Sequence, residues 1–198
     1  HITYLNTNAY GNYNIGHKMI QVIQIKEDLF VYPIFKNGSS SLKQYAKRNK
    51  CKMLFNEQVR RCETITTYIR EPKERFIAGV HSYIAFERRK DPNLDYDQVL
   101  EQIKTKGLTN EHFVQQFWWL NGLARYYSGK IKFENSRQLL DLIPDRKIPH
   151  LEFPEITPEQ HEKIGEIEFN LAQDYKIWDN YMDKTINLKD LLNVLSKT

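Results

Sequence analysis

The sequence lacks the features that define several large classes of protein. Only two of its 198 residues are cysteine, Cys51 and Cys62, too few for a disulfide framework. We expect both to be free thiols, with a single bridge in an oxidising compartment as the alternative. No apolar run approaches the ~20 residues of a transmembrane helix, and a signal-peptide pattern, an internal repeat and a low-complexity linker are all missing. The sequence therefore predicts one globular domain over residues 1–198, without membrane association.

The charged residues are unevenly distributed. Residues 36–90 contain seven Lys and seven Arg against five Glu and no Asp, a surplus of nine positive charges, although the whole chain carries only +4. A basic segment inside an otherwise acidic chain favours a local anionic ligand over general binding to nucleic acid. A solvated basic face is the alternative interpretation of the same run.

Strand-like and helix-like stretches alternate along the chain. Strands are predicted at residues 19–25, 28–35 (ending near Pro33), 64–69 and 130–134. Helices are predicted after residue 41, from Pro72, over 97–104, from a cap at Thr109, over 136–142, from a capping box at 157–160 as one long helix, and over 188–195. Residues 1–18 are predicted to be an irregular arm. This alternation predicts a three-layer α/β domain with a central, mostly parallel sheet flanked by helices.

Two strand-to-helix junctions carry residues suited to phosphate. In the first, residues 36–41 (KNGSSS) combine a positive charge, a glycine that allows close backbone approach, and serine hydroxyls before a helix N-terminus. Because the lysine precedes the glycine, this is not a Walker A loop, and a serine-rich turn with a helix cap is the plainer alternative. In the second, Arg70 closes a strand, and its planar guanidinium suits bidentate phosphate binding. Arg75 is either part of that motif or a surface partner of Glu71 or Glu74.

Taken together, the two junctions resemble the sulfotransferase superfamily that uses 3′-phosphoadenosine 5′-phosphosulfate. Residues 36–42 resemble its 5′-phosphosulfate loop, P-K-x-G-T/S-T/S-x-L, and residues 70–76 resemble its 3′-phosphate motif, R-D/E-P-x-x-R-F/L. Residues 110–116, 132–142 and 171–181 are similar to segments of the Golgi-type carbohydrate sulfotransferases, so the resemblance covers about residues 28–182. Ala78 departs from the family, which has a phosphate-binding serine there; Ser82, one helical turn further, is the candidate replacement.

The resemblance implies a P-loop-like fold and a sulfuryl transfer from 3′-phosphoadenosine 5′-phosphosulfate to an acceptor hydroxyl, without a metal. It assigns donor binding to Lys36, Asn37, Gly38, Ser39, Ser40, Ser41, Arg70 and Ser82. Lys36 is also the predicted catalytic cation, and His112 and Glu57 are the candidate general bases, ahead of His81. The expected acceptor is a carbohydrate. The expected location is the cytoplasm, with a Golgi-lumenal catalytic fragment as the alternative.

Other functions remain open from the sequence. A non-catalytic module that binds an anionic polymer would use the basic segment without needing Lys36 and Arg70 in particular. An ATP-dependent kinase would need a Walker A loop and a magnesium carboxylate in the expected form. A peptide tyrosine or a small metabolite is the alternative acceptor. The adjacent Trp118 and Trp119 are expected to pack in the core rather than stack on a ligand.

Overall fold

The computed structural model describes residues 19–143 and 156–197, so the predicted arm over residues 1–18 lies outside the described residues. Among the described residues, six strands form one sheet in the order β3-β1-β2-β4-β5-β6. The strands are β1 (Gln21–Lys26), β2 (Leu29–Val31), β3 (Lys52–Phe55), β4 (Thr64–Ile69), β5 (Lys130–Asn135) and β6 (Thr185–Asn187). β2 ends just before Pro33, as the sequence predicts.

The sheet is mixed, which corrects the prediction of a mostly parallel one. β2 and β4 pair in parallel, as do β4 and β5, whereas β1 runs antiparallel to both β2 and β3, and β6 antiparallel to β5. The cause lies in the connections. Only a two-residue turn at Glu27 and Asp28 joins β1 to β2, and so short a link makes a hairpin, whereas a parallel pair needs a long crossover.

Helices cover both faces of the sheet, which confirms the α/β class. They are α1 (Ser39–Arg48), α2 (Pro72–Glu87), α3 (Tyr96–Lys106), α4 (Gln116–Leu123), α5 (Leu139–Leu142), α6 (Pro158–Ile167), α7 (Ala172–Tyr181) and α8 (Leu188–Leu195). Successive strand residues point to opposite faces. Val22 accordingly packs with residues of α4, α7 and α8, and Ile23 with residues of α1 and α5. A separate apolar cluster joins α2 to α3 and α6.

Two helix predictions are wrong in extent. The helix predicted from Thr109 begins only at Gln116, because the Asn110 side chain accepts a hydrogen bond from His112 N (3.0 Å) and holds residues 110–114 in a turn. The long helix predicted from residue 157 is interrupted by a 3-10 turn (Glu168–Leu171) between α6 and α7. Its predicted capping box is confirmed, since Gln160 N donates to Thr157 Oγ1 (3.3 Å) and Thr157 N donates to Gln160 Oε1 (3.2 Å).

The structure bears on the cysteines and on the question of membrane-spanning helices. Cys51 and Cys62 are both free thiols. Within residues 19–143 and 156–197, none of the helices combines the length and the apolar character that crossing a bilayer requires.

Candidate functional site

Two backbone corners leave the sheet at the same edge. The serine loop (residues 36–41) follows β2, and the arginine corner (Arg70 and Glu71) follows β4. Val31 of β2 pairs in parallel with Thr66 of β4, and Tyr32 N extends the ladder to Thr66 O (2.9 Å). Because parallel strands end at the same edge, the two corners project on the same side of the sheet, as the sequence predicts.

The serine loop turns sharply into α1. Gly38, the N-cap of α1, has a φ of 84°, a left-handed conformation that glycine adopts without steric cost. Lys36 has a φ of 70°, which is unfavourable for a residue with a Cβ and persists only where its surroundings enforce it. The first turn of α1 has neither a side-chain cap nor an acidic residue, so its leading N–H groups are available to an anion.

The three serines differ in exposure, although the sequence motif treats them alike. Ser39 is buried, Ser41 is half-buried and Ser40 is exposed at the start of α1. Leu42, one residue later, is buried against the sheet and anchors the helix. The second and third serines are therefore more accessible to a ligand from bulk solvent than the first.

Lys36 is a half-buried cation. Its Nζ lies 4.8 Å from the centre of the Phe35 ring, within range of a cation–π contact. Burial, with the nearby positive charge of Arg75 as a smaller cause, lowers the pKa of Lys36 to about 8. An anion bound beside Lys36 would offset both effects, because it supplies an opposite charge next to the ammonium group.

The arginine corner begins α2. Pro72 occupies the first turn, and Glu71 caps the helix by accepting a hydrogen bond from Glu74 N (2.6 Å). The Arg70 side chain is one-third exposed, and its Nε lies 3.8 Å from Glu74 Oε2. Glu74 also pairs with the exposed Arg137 (3.3 Å), so Arg70 shares this carboxylate with a second cation.

Gln116, the first residue of α4, contacts both corners. Its Oε1 accepts hydrogen bonds from Asn37 Nδ2 (2.5 Å) and from Arg70 N (3.0 Å), and its Nε2 donates to Arg70 O (2.9 Å). Gln116 is fully buried. The sequence analysis did not single it out, although it closes the 110–116 segment that resembles the carbohydrate sulfotransferases.

Asn37 is buried by the same contacts. Its Nδ2 also donates to Tyr68 O (2.8 Å), so both amide hydrogens are used inside the protein. Asn37-Gly38-Ser39 is formally an N-glycosylation sequon, but a side chain only 5% exposed cannot carry a glycan in this fold. The folded protein therefore does not present this loop as a glycan site.

Arg75 is a buried residue that donates hydrogen bonds to two backbone carbonyl groups. Its burial excludes the alternative in which Arg75 pairs with Glu71 or Glu74 on the surface. Its Nε and Nη2 donate to Phe35 O (3.3 and 3.1 Å), its Nη1 donates to Val114 O (2.5 Å), and the side chain is 1% exposed. Burial lowers the pKa of Arg75 to about 10, which attraction to Asp174 opposes. Burial likewise raises the pKa of Asp174, against the attraction of Arg75.

His112 lies close to the serine loop. Its ring meets the Phe35 ring edge-on, with 5.2 Å between centroids, and the Tyr83 and Phe86 rings lie about it at 6.0 and 6.3 Å. Its backbone rests against Gly79 of α2, so closely that a Cβ at position 79 would overlap the His112 carbonyl oxygen. His112 and Lys36 therefore share Phe35 as a neighbour.

The remaining predicted residues lie further from the two corners. Glu57 follows β3 at the same edge, but β1 separates it from β2 by roughly 10 Å, and it pairs with Arg60 (2.8 Å). Ser82 lies about 15 Å along the axis of α2 from Pro72, and Ala78 is buried between them. His81 is buried, its ring 4.9 Å from that of Tyr96, and burial lowers its pKa. The structure thus brings His112 close to the serine loop, but not these three.

A cavity of about 240 Å³ opens beside the serine loop, on the side of β1. Its lining includes Tyr32, Phe35, Ser39, Lys43, Glu111 and Trp119. Trp119 packs against the core as predicted, yet it also contributes to this wall. The sequence analysis selected neither of two lining residues: Lys43 lies just outside the 36–42 motif, and Glu111, although within the 110–116 segment, was given no role.

Within the described ranges, no three His, Cys, Asp or Glu side chains are grouped as ligands of a metal ion. Comparisons of the chain with known family models, with curated proteins and with solved structures found no match.

Proposed function

We propose that the protein is a sulfotransferase with a P-loop-like fold that uses 3′-phosphoadenosine 5′-phosphosulfate as donor. The observation that carries the proposal is the meeting of the serine loop and the arginine corner at one sheet edge, where Gln116 contacts both. A nucleotide with phosphates at its 3′ and 5′ carbons needs two cationic corners at a fixed separation, and this edge offers them.

The serine loop fits the 5′ end of such a donor. Lys36 supplies a positive charge, and the uncapped first turn of α1 supplies N–H groups and the positive end of the helix dipole. Gly38 has no side chain to obstruct the approach of a phosphate. Ser40 and Ser41 add hydroxyl donors, and Ser39, which is mostly buried but lines the adjacent cavity, adds its backbone N–H.

The arginine corner fits the 3′-phosphate. Arg70 is exposed enough to bind a ligand, and a guanidinium forms two parallel hydrogen bonds to a phosphate. In this proposal Arg70 carries most of the 3′-phosphate contact, because Ala78 offers no hydroxyl and Ser82 lies far along α2.

The donor supplies an activated sulfuryl group when it is bound, and the products are a sulfate ester, adenosine 3′,5′-bisphosphate and a proton. Lys36 and the N–H groups of the serine loop would stabilise negative charge on the 5′-phosphate as the bond to sulfur breaks. His112 is the base candidate that lies nearest to the serine loop, and it would take the proton of the acceptor hydroxyl. We propose a carbohydrate hydroxyl as the acceptor, on the resemblance of residues 110–116 and 132–142.

Binding distinguishes this proposal from its two rivals. Thermal unfolding is measured in three separate arms. Adenosine 3′,5′-bisphosphate and heparin are each added in the absence of metal, and ATP is added together with magnesium. A ligand at 100 times its dissociation constant stabilises the folded state by about 2.7 kcal/mol, and we expect the bisphosphate to act at the lowest concentration. A preference for heparin would favour the polyanion module, and a preference for ATP–magnesium would favour the kinase.

Matched variants locate the binding. Arg70→Ala and Lys36→Ala should each abolish most of the increase in unfolding temperature that the bisphosphate causes. Lys52→Ala is the control: Lys52 belongs to the same basic segment but begins β3 at the opposite sheet edge, opposite Gln24. If Lys52→Ala weakens bisphosphate binding as much as Arg70→Ala does, general electrostatics explains the result and the proposed site is wrong.

Transfer itself is tested with labelled donor and panels of carbohydrate, tyrosyl-peptide and small-metabolite acceptors. We expect Lys36→Ala to lower the rate by ~10²–10³, as the loss of one preorganised charge donor does. Turnover close to that of the unmodified protein would contradict the role of Lys36.

A further inference from the structure

We propose that Gln116 is a positioning residue that fixes the separation of the two corners, so that one nucleotide engages both of its phosphates at once. The inference rests on the proposed function, because it concerns how the same bisphosphate is recognised. It assigns a role to a residue that touches neither phosphate in the proposal.

The contacts of Gln116 bridge the corners directly. Its Oε1 accepts from the side chain of Asn37, within the serine loop, and from the backbone N of Arg70. Its Nε2 donates to the backbone O of Arg70, which closes a two-point contact with the arginine corner. One planar, fully buried amide therefore holds both corners.

Gln116 is itself held from α7. Its backbone N donates to Asp174 Oδ2 (2.7 Å), and its Nε2 lies 3.4 Å from the same oxygen. Asp174 Oδ1 accepts from Phe117 N (2.9 Å), so the carboxylate binds the first turn of α4 through both oxygens. The amide has only one acceptable orientation, because exchanging its O and N would direct donors at Asn37 Nδ2 and Arg70 N.

Holding the corners apart at a fixed distance affects a ligand with two phosphates more than a ligand with one. A monophosphate binds one corner whatever the position of the other. A bisphosphate gains from the second contact only if that corner already stands at the right distance, which is the condition for a high effective concentration. Removal of Gln116 should therefore weaken the binding of the bisphosphate and leave the affinity for the monophosphates nearly unchanged.

The experiment measures four dissociation constants by calorimetry, for adenosine 3′,5′-bisphosphate, adenosine 5′-monophosphate, adenosine 3′-monophosphate and adenosine. Gln116→Met keeps the length and volume of the side chain but removes the amide. Gln115→Met is the matched control, because Gln115 is equally buried and bonds Asp174 N (3.3 Å) but touches neither corner. Gln116→Asn shortens the amide by one methylene and answers the same question if the methionine variant does not fold.

We expect the advantage of the bisphosphate over the better monophosphate to fall by about tenfold or more in the Gln116 variants. The monophosphate constants should change by less than about threefold, and Gln115→Met should keep the advantage. An unchanged advantage in the Gln116 variants, or an equal loss in Gln115→Met, overturns the role of Gln116 while the proposed function stands. No preference for the bisphosphate in the unmodified protein overturns the proposed function itself.

Discussion

At the scale of single residues, Lys36 combines three unfavourable conditions: a left-handed backbone, partial burial and a neighbouring positive charge. Each condition costs free energy in the ligand-free protein. An anion at the serine loop would compensate the last two, and its binding would be coupled to the charge of the lysine. Residues under such strain are commonly found at functional sites.

The affinity for adenosine 3′,5′-bisphosphate should therefore depend on pH above neutrality. The pKa of Lys36 is lowered to about 8, so the ligand-free side chain loses its charge as the pH rises through 8, and the affinity falls by up to about tenfold per pH unit. The ligand does not cause this slope, because phosphate monoesters titrate near pH 6. Calorimetry between pH 7 and 9.5 checks it.

Lys36→Arg serves as the reference for that titration, since a guanidinium stays charged throughout this range. The affinity of this variant for the bisphosphate should not change with pH between 7 and 9.5. A flat profile for the unmodified protein as well would show that Lys36 does not contact the anion. In the ligand-free state the same pKa makes stability rise with pH between about 8 and the unfolded value of 10.5, because the unfolded chain binds more protons there.

Substitution of alanine for two helix glycines, Gly79 and Gly165, should change the free energy of unfolding in opposite directions. In Gly79→Ala the new Cβ would overlap the His112 carbonyl oxygen and lie 2.8 Å from its carbon, so we expect a loss of about 1–3 kcal/mol. Nothing lies within 4 Å of a Cβ at position 165, and Gly165→Ala should gain up to ~1 kcal/mol from helix propensity. Urea unfolding measures both. Equal effects would mean that α2 and the 110–114 turn are not in tight contact.

The site residues that sequence reasoning found, and those it missed, differ in kind. Lys36, Gly38 and Arg70 were identifiable because they stand at strand-to-helix junctions, where local chemistry already suggests a phosphate. Gln116 and Asp174 lie within the 110–116 and 171–181 segments that resemble the family, but their roles depend on contacts with residues 46 to 79 positions away, which those segments do not reveal. Arg75 lies within a motif, but its burial depends on the position of Val114.

At the scale of elements, α2 does more than begin at the arginine corner. Through Arg75 it also holds the carbonyl groups of Phe35, before Lys36, and Val114, before α4. One side chain thus joins the serine loop, α2 and the turn that carries His112. This arrangement makes the geometry of the site depend on a residue that the proposed ligand does not touch.

Arg75→Ala should lose about 3–5 kcal/mol of stability, because it leaves the carbonyl groups of Phe35 and Val114 without their donor and removes the buried positive charge that attracts Asp174. Arg60→Ala is the comparison. It breaks an ion pair whose side chains are 62% and 64% exposed, which is worth ~0–1 kcal/mol. Chemical denaturation separates the two cases. Similar losses for both variants would contradict the burial of Arg75.

The elements themselves were predictable where local signals agreed. β4, the start of α2 at Pro72, α8 and the capping box at Thr157 all match the sequence prediction. The antiparallel direction of β1 follows from its short link to β2 and not from the residues of β1 itself; the predicted strands at 19–25 and 28–35 already left only two residues between them. The delay of α4 to Gln116 follows from one asparagine side chain, whose competition with the helix has no periodic signature.

At the scale of the whole molecule, the sheet is covered by helices drawn from distant parts of the chain. The last of these, α8, contributes Leu188, Leu191 and Leu195, all fully buried, to the cluster that contains Val22 and Ile65 of the sheet. Because a whole domain is stable by only ~5–15 kcal/mol, the cohesion of the fold depends strongly on this helix.

We expect Leu191→Ala to cost about 2–5 kcal/mol, whereas Val194→Ala, on the exposed face of the same helix, should be neutral within ~0.5 kcal/mol. Thermal or urea unfolding with a single cooperative transition is the measure. A small effect at position 191 would show that α8 packs loosely against the sheet.

The burial of Asn37 also bears on where this chain can be produced. In a host whose secretory pathway attaches oligosaccharides to nascent chains, any copy modified at Asn37 would carry a bulky sugar at a position that must enter the interior. Such copies should be retained and degraded, and the secreted product should be enriched in unmodified chains. A bacterial host attaches no such sugar, so its product should not be divided in this way.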